Sequence, residues 1–188
     1  MHRTVRAVLV LAGAAALAVA GCGASEVTLR HTAAGIEEVV RYDSATFALA
    51  RDRKVHVVLF RQMGIAAGAA KPDVEYVFLE LPEKRRYGWL RDDRVPAYRW
   101  THVSSRDDVW LGTVGRVRLR FADAKQRLRL DVEMTMHPVG GTGGEPYVFQ
   151  ADLWLAEDAV RTQDLINRYG PRLASLVDQA EATESRTR

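Results

Sequence analysis

The stretch GRVRLRFADAKQRLRLDVEMTM, from Gly115 to Met136, constrains the fold more than any other part of the chain. Val117, Leu119 and Phe121 alternate with Arg116, Arg118 and Arg120. After a polar interruption, Leu128, Leu130, Val132, Met134 and Met136 alternate with Arg127, Arg129, Asp131, Glu133 and Thr135. A period of two with one apolar and one charged face is the pattern of a half-buried antiparallel hairpin. A four-residue connection from Asp123 to Gln126 sets Phe121 opposite Leu128, Arg118 opposite Asp131 and Arg116 opposite Glu133, although it also faces Arg120 with Arg129. Opposite-charge pairs of this kind are worth about 0.2–1 kcal/mol each, so they tune the register while the apolar row supplies most of the stability.

The same period recurs on both sides of this hairpin. Thr46 to Ala50 and Val55 to Phe60 flank the polar turn Arg51–Lys54 and read as a second hairpin. Val74 to Leu81 is bounded by Pro72 and Pro82, and its nearly continuous apolar character predicts a central strand. Short strands are expected at 87–90 and 97–103, the latter with Tyr98, Trp100 and His102 on one face, followed by a turn over Ser104–Asp108. Gly64 to Pro72 and His137 to Pro146 read as loops. Tyr147, Phe149, Ala151, Leu153 and Leu155 share one face of another strand. From about Val160 the period changes to that of a helix, with Leu165, Ile166, Tyr169, Leu173, Leu176, Val177 and Ala180 in register. Gly170-Pro171 is expected to break or kink that helix, because proline lacks the N–H that its preceding turn requires. The pattern predicts one α+β domain: mainly antiparallel β, as a sandwich or curved half-barrel, with a C-terminal helix at about 160–180 packed through Leu165, Ile166 and Tyr169.

The amino terminus has a different character. MHRTVR carries Arg3 and Arg6 without an acid, and Ala7 to Ala20 is apolar apart from Gly13. This apolar run of 14 residues is shorter than the roughly 20 needed to span a membrane, and a basic segment followed by a short apolar one and small residues is the layout of a cleaved signal. Val19-Ala20-Gly21-Cys22 resembles the lipobox of bacterial lipoproteins: an aliphatic residue, two small ones and a cysteine. The resemblance covers residues 1–22 only. It implies that the Cys22 thiol receives a diacylglyceryl group and that signal peptidase II cuts just before it. Two or more acyl chains give lasting membrane attachment where one gives only marginal binding, so Cys22 is expected to anchor the protein to the membrane.

On this reading residues 1–21 are a signal peptide, 22–35 a lipidated N-terminus and tether, 36–181 a single β-rich domain and 182–188 a disordered tail. Loss of Arg3 and Arg6 leaves 25 Lys+Arg against 24 Asp+Glu, a formal charge of +1 instead of +3. A nearly neutral mature domain gives no electrostatic case for nucleic acid, which is not expected as a partner. The resemblance implies the cell envelope: the outer membrane facing the periplasm in a diderm, since Gly23 replaces the aspartate that favours inner-membrane retention, or the outer face of the only membrane in a monoderm. Partners expected there are an envelope protein, a lipid or a glycan.

No residue set meets the requirements of a catalytic or metal site. Gly140–Gly144 leads into Glu145-Pro146 and a strand rather than a helix, so it reads as a flexible connection and not a phosphate loop. His31, His56, His102 and His137 lack short ligand spacing, and the acid doublets in RDDR and SRDD read as solvated turns. Ser104 and Ser105 sit in a polar turn rather than a nucleophile elbow. The hairpin arginines share their face with Asp131 and Glu133, which points to internal pairing. Trp89, Trp100, Trp110 and Trp154 with Tyr87 and Tyr98 suggest core more than a sugar-stacking platform. No cofactor is expected. The leading expectation is a lipid-anchored, non-enzymatic structural or binding protein with Cys22 as its one assigned functional residue. The alternatives are a lipid carrier, whose cavity would be lined by Leu128, Leu130, Val132, Met134 and Met136, and a hydrolase or cell-wall glycan binder.

Overall fold

The structure, a computed structural model, describes residues 25–31, 34–65, 71–82, 90–91, 97–139 and 144–187. Cys22, Tyr87, Trp89 and residues 140–143 of the glycine-rich connection lie outside the described residues. In chain order the elements are β1 (Ser25–His31), β2 (Ile36–Tyr42), β3 (Ser44–Leu49), β4 (Lys54–Gly64), β5 (Asp73–Pro82), β6 (Leu90–Arg91), β7 (Ala97–Val103), β8 (Arg106–Ala122), β9 (Arg127–Pro138), β10 (Tyr147–Glu157) and the helix α1 (Ala159–Thr187). Mostly antiparallel strands in one large sheet with a single C-terminal helix make this an α+β fold, as the periodicity predicts.

The alternating hairpin is β8–β9, and its register is the one expected: Phe121 faces Leu128, Arg118 faces Asp131, Arg116 faces Glu133 and Arg120 faces Arg129. The hairpin β3–β4 and the strands β5, β7 and β10 also form where the pattern places them. The sheet curves further than a half-barrel. β9 pairs along its length with both β8 and β10, and the end of β10 pairs in parallel with β3 through Ala156–Thr46 and Glu157–Phe47. The circuit β3–β4–β5–β7–β8–β9–β10 therefore returns to its start. Closure through this short seam shortens the free edge of β3 to the residues outside Thr46 and Phe47, and closing is the stable solution for a strongly curved sheet. The β1–β2 hairpin branches from the first half of β10, with Val27 paired to Ala151 and Leu29 to Phe149. The ordered sheet thus starts at Ser25, before the expected boundary at residue 36, because Val27 and Leu29 are buried in the core.

Bending β8 requires a local device. Its pairing with β9 shifts between Gly112 and Val114, a bulge that increases twist and turns the strand. A Cβ on Gly115 would lie 2.4 Å from the Glu133 carbonyl oxygen, and one on Gly112 would lie 2.7 Å from Met134 Sδ. At Gly115 only glycine permits the two backbones to approach this closely, whereas the close neighbours at Gly112 are the Met134, Ala97 and Met136 side chains.

Period-two alternation then sorts side chains into two cores. Val55, Val57 and Leu59 join the row Leu128–Met136 and the row Tyr147–Leu155 in one buried cluster, while Val58, Phe60, Val74, Tyr76, Trp100 and Val109 project to the other face of the sheet. That second face is covered by α1 through Leu165 and Leu173, with Ile166, Tyr169, Leu176 and Val177 alongside. Asp158 starts the helix by accepting the Arg161 N–H at 2.7 Å, and Thr162 Oγ1 bonds Thr46 Oγ1 at 2.9 Å in a buried position.

Three expectations are corrected. The turn expected over Ser104–Asp108 is only Ser104-Ser105, both at positive φ (50° and 69°), and Arg106 already pairs with Val103. A two-residue connection with positive φ matches the twist of the strands it joins. The helix does not break at Gly170-Pro171 but continues past it, since packing of its apolar stripe on the sheet outweighs the one backbone hydrogen bond that proline removes. It also continues to Thr187, through the segment expected to be a disordered tail.

Candidate functional site

The second core opens at one end into a cleft of about 630 Å³ between α1 and the sheet. Val74 of β5 and Trp100 and His102 of β7 form one wall, Arg168, Tyr169 and Arg172 of α1 the other, and Lys71 and Pro72 lie at the start of β5. A volume of this size falls within the range of small-molecule sites, about 300–1,000 Å³. Tyr169 stacks on Phe60 with ring centroids 5.2 Å apart and lies 5.9 Å from the Trp100 ring. Helical spacing sets Arg168 and Arg172 one turn apart on the same side of α1.

At the base of the cleft stands Asp107. The two-residue turn fixes His102 directly opposite it in the β7–β8 ladder. The Asp107 Oδ1 accepts the Trp100 Nε1–H at 2.9 Å and the His102 Nδ1–H at 2.8 Å, and Arg172 donates to Oδ2. Burial by itself would raise the Asp107 carboxyl, but the hydrogen bonds from Arg172, His102 and Trp100 outweigh it and hold the group below its ordinary value. Because the carboxylate only accepts, the shared proton sits on His102 Nδ1, which leaves Nε2 as the uncommitted ring nitrogen. The acid doublet of SRDD is therefore corrected: Asp107 is no solvated turn residue but the link between β7, β8 and α1, its side chain only 12% exposed.

A second polar cluster lies inside the ring of strands. Glu75, fully buried, accepts Arg99 Nε at 2.7 Å and the Tyr42 hydroxyl on Oε1, while Arg61 donates to Oε2 at 2.6–2.7 Å. Arg99 also donates to the Tyr147 hydroxyl at 3.0 Å and stands 4.8 Å from the Trp110 ring. Burial would raise the Glu75 carboxyl; the neighbouring Arg99 charge, the hydrogen bonds from Arg99 and Tyr42 and the Arg61 charge reverse this and lower it. The cluster joins β2, β4, β5, β7 and β10 and closes one end of the apolar interior. Its carboxylate is fully engaged, so it acts as a clasp rather than a reactive centre.

The remaining sequence candidates are dispersed. The His31 ring lies tilted against Tyr147 with centroids 5.3 Å apart, His56 stands 3.5 Å from Glu80, and His137 faces Leu111 across the β8–β9 ladder. Among the described residues no three or more His, Cys, Asp or Glu side chains gather where a metal ion would fit. Trp100 faces the helix, Trp110 faces the interior, and Trp154 is 47% exposed beneath the Arg127 guanidinium at 4.7 Å, so these three do not share a platform. Tyr98 packs at the helix-facing core. Ser104 uses its backbone N–H to reach Asp73 at 2.8 Å. On the charged face of the hairpin Arg116 pairs with Glu133 at 2.8 Å, and Arg129 pairs with Asp152 at 2.6 Å. Leu128, Leu130, Val132, Met134 and Met136 are all buried in the interior cluster.

Sequence reasoning missed Glu75, Arg99, Asp107 and the two helix arginines as a group. One signal was present: Glu75 interrupts the inward row that continues with Val77, Leu79 and Leu81, and a lone charge on a dry face requires a buried partner. Among the described residues no helix is long and apolar enough to cross a membrane. In comparisons with known proteins the chain matches no family model, no curated protein and no solved structure.

Proposed function

We propose that this chain is a lipid-anchored extracytoplasmic protein with a binding or structural role, held to the cell envelope through acyl chains on Cys22. The observation that carries the reading is the order of features in residues 1–22: two arginines, a short apolar run, small residues and the chain's single cysteine. No other cysteine competes for the role. Release of residues 1–21 leaves only Cys22, Gly23 and Ala24 before β1, so the folded domain sits close to the membrane surface. In a diderm, Gly23 after the cysteine favours the outer membrane; in a monoderm, the same anchor holds the domain on the outer face of the cytoplasmic membrane.

A binding role is favoured over catalysis by the chemistry of the cleft. Its carboxylate is engaged by three donors, and no serine, threonine or cysteine lines it among the described residues. The test is a Cys22→Ser variant expressed with radiolabelled fatty acid. The variant is expected to lose the label and to accumulate uncut in the membrane fraction; processing and labelling like the parent would overturn the assignment.

A further inference from the structure

We infer that the cleft between α1 and the sheet binds a small organic anion, a phosphate or carboxylate group joined to an apolar or planar body. The inference goes beyond the anchor and stands independently of it. Three cations, Lys71, Arg168 and Arg172, line the cleft against a single carboxylate, Asp107. That carboxylate is already committed to Trp100, His102 and Arg172, so it neutralises one cation and leaves the site with an excess of positive charge. Lys71 has no ion-pair partner among the described residues. Among the described residues the ion pair of Arg168 is an exposed contact with Asp164 at 3.3 Å, one turn back on its own helix, and such pairs contribute little and yield readily to a better acceptor.

The two halves of the cleft select two parts of one ligand. Trp100 and Tyr169 offer ring surface held in place by packing on Phe60 and Tyr76, which suits an apolar or planar body. The arginines offer planar forks that match phosphate and carboxylate oxygens. Asp107 preorganises this rim: by holding Arg172 it fixes one donor group before a ligand arrives, and preorganised donors lose less entropy on binding. The phosphate is that of a free solute or of a lipid headgroup, the same chemistry in either case.

Phenyl phosphate serves as the probe, titrated into the full chain purified in a neutral detergent, with inorganic phosphate and benzyl alcohol as the two half-ligands. Phenyl phosphate is expected to bind about tenfold more tightly than either half-ligand and to shift the Trp100 indole N–H resonance. It is also expected to weaken as ionic strength approaches about 1 M, where screening falls to about 3 Å. The exposed pair Lys71→Ala with Arg168→Ala is expected to weaken it about tenfold, with an unchanged urea midpoint showing that the fold is intact. Benzyl alcohol binding as tightly as phenyl phosphate, or the double variant binding like the parent, would overturn the site. Inorganic phosphate binding as tightly as phenyl phosphate would overturn the organic body. Competition by phosphatidylglycerol vesicles but not phosphatidylcholine vesicles assigns the anion to a headgroup; competition by neither assigns it to a free solute, and equal competition by both overturns charge recognition.

Discussion

At the scale of single residues, the interior clasp shows how a buried charge is tolerated. Glu75 is surrounded by donors from three strands, and it in turn neutralises Arg99, which stands between the Trp110 and Tyr147 rings. Removing one partner leaves the other as an uncompensated charge in an apolar interior, which costs about 3–5 kcal/mol. Glu75→Gln is therefore expected to lower unfolding stability by about that amount. Replacing Glu75→Leu with Arg99→Met is expected to recover part of the loss, because well-packed apolar groups are often neutral substitutes for a buried pair and the remaining Arg61, its side chain 22% exposed, can turn toward solvent. Urea unfolding of the parent, the singles and the double gives the comparison. Equal losses in Glu75→Gln and in the double would mean that shape at these positions, and not charge, supports the fold. Trp110 shows the opposite condition. Its indole N–H is buried and finds no acceptor among the described residues, and its ring is held by packing, by the Arg99 guanidinium and by an edge contact with the Tyr147 ring at 6.0 Å.

At the scale of elements, legibility followed the strength of local periodicity. The β8–β9 hairpin was readable to the residue, because a one-residue slip would invert both faces and turn Leu128–Met136 outward. The helix was readable as a stripe, yet its continuity through Pro171 was not, because propensity alone does not count the apolar contacts of Leu173, Leu176 and Val177 beyond the proline. Closure of the ring was also invisible, since the parallel contact of β10 with β3 joins residues about a hundred positions apart and involves only two pairs. The cleft was hidden for the same reason: Trp100, Asp107 and Arg172 meet only after β7, β8 and α1 have docked. Proline in a helix interior is disfavoured by about 3 kcal/mol relative to alanine, partly returned through a stiffer unfolded chain worth about 0.4–1 kcal/mol. Pro171 is exposed, and a Cβ placed on Gly170 beside it would meet Ile166 Cγ2 at an ordinary 3.7 Å. Pro171→Ala is expected to stabilise the protein by about 2 kcal/mol in thermal or urea unfolding. A loss of stability instead would show that Pro171 itself helps to seat Leu173 on the sheet.

At the scale of the whole molecule, the two polar clusters make stability depend on pH from both sides, with opposite signs. Glu75 and Asp107 are held below their ordinary values of 4.5 and 3.8 in the folded chain. The unfolded chain therefore takes up protons first as pH falls, and the stability these carboxylates supply is fully present above about pH 4.5 and is lost as pH drops through their lowered folded values. One carboxylate clasps the interior and the other ties α1 to β7 and β8, so acid should loosen the barrel and release the helix together. Asp107→Asn is expected to reduce the slope of the acid limb and leave the neutral plateau lower. On the alkaline side burial pushes the Tyr147 hydroxyl up to about 12, and burial likewise raises Tyr42 and Tyr76. These phenols keep their protons in the folded chain past the ordinary value of 10.0, so their contribution holds below about pH 10 and is lost as pH rises toward the folded values. Tyrosinate absorbance followed beside circular dichroism reads this directly: the buried phenols should ionise only in step with loss of β-structure. Ionisation of Tyr42 or Tyr147 well before unfolding would mean that solvent reaches the clasp between Glu75 and Tyr147 in the native barrel, and that this end of the interior opens without the ring coming apart.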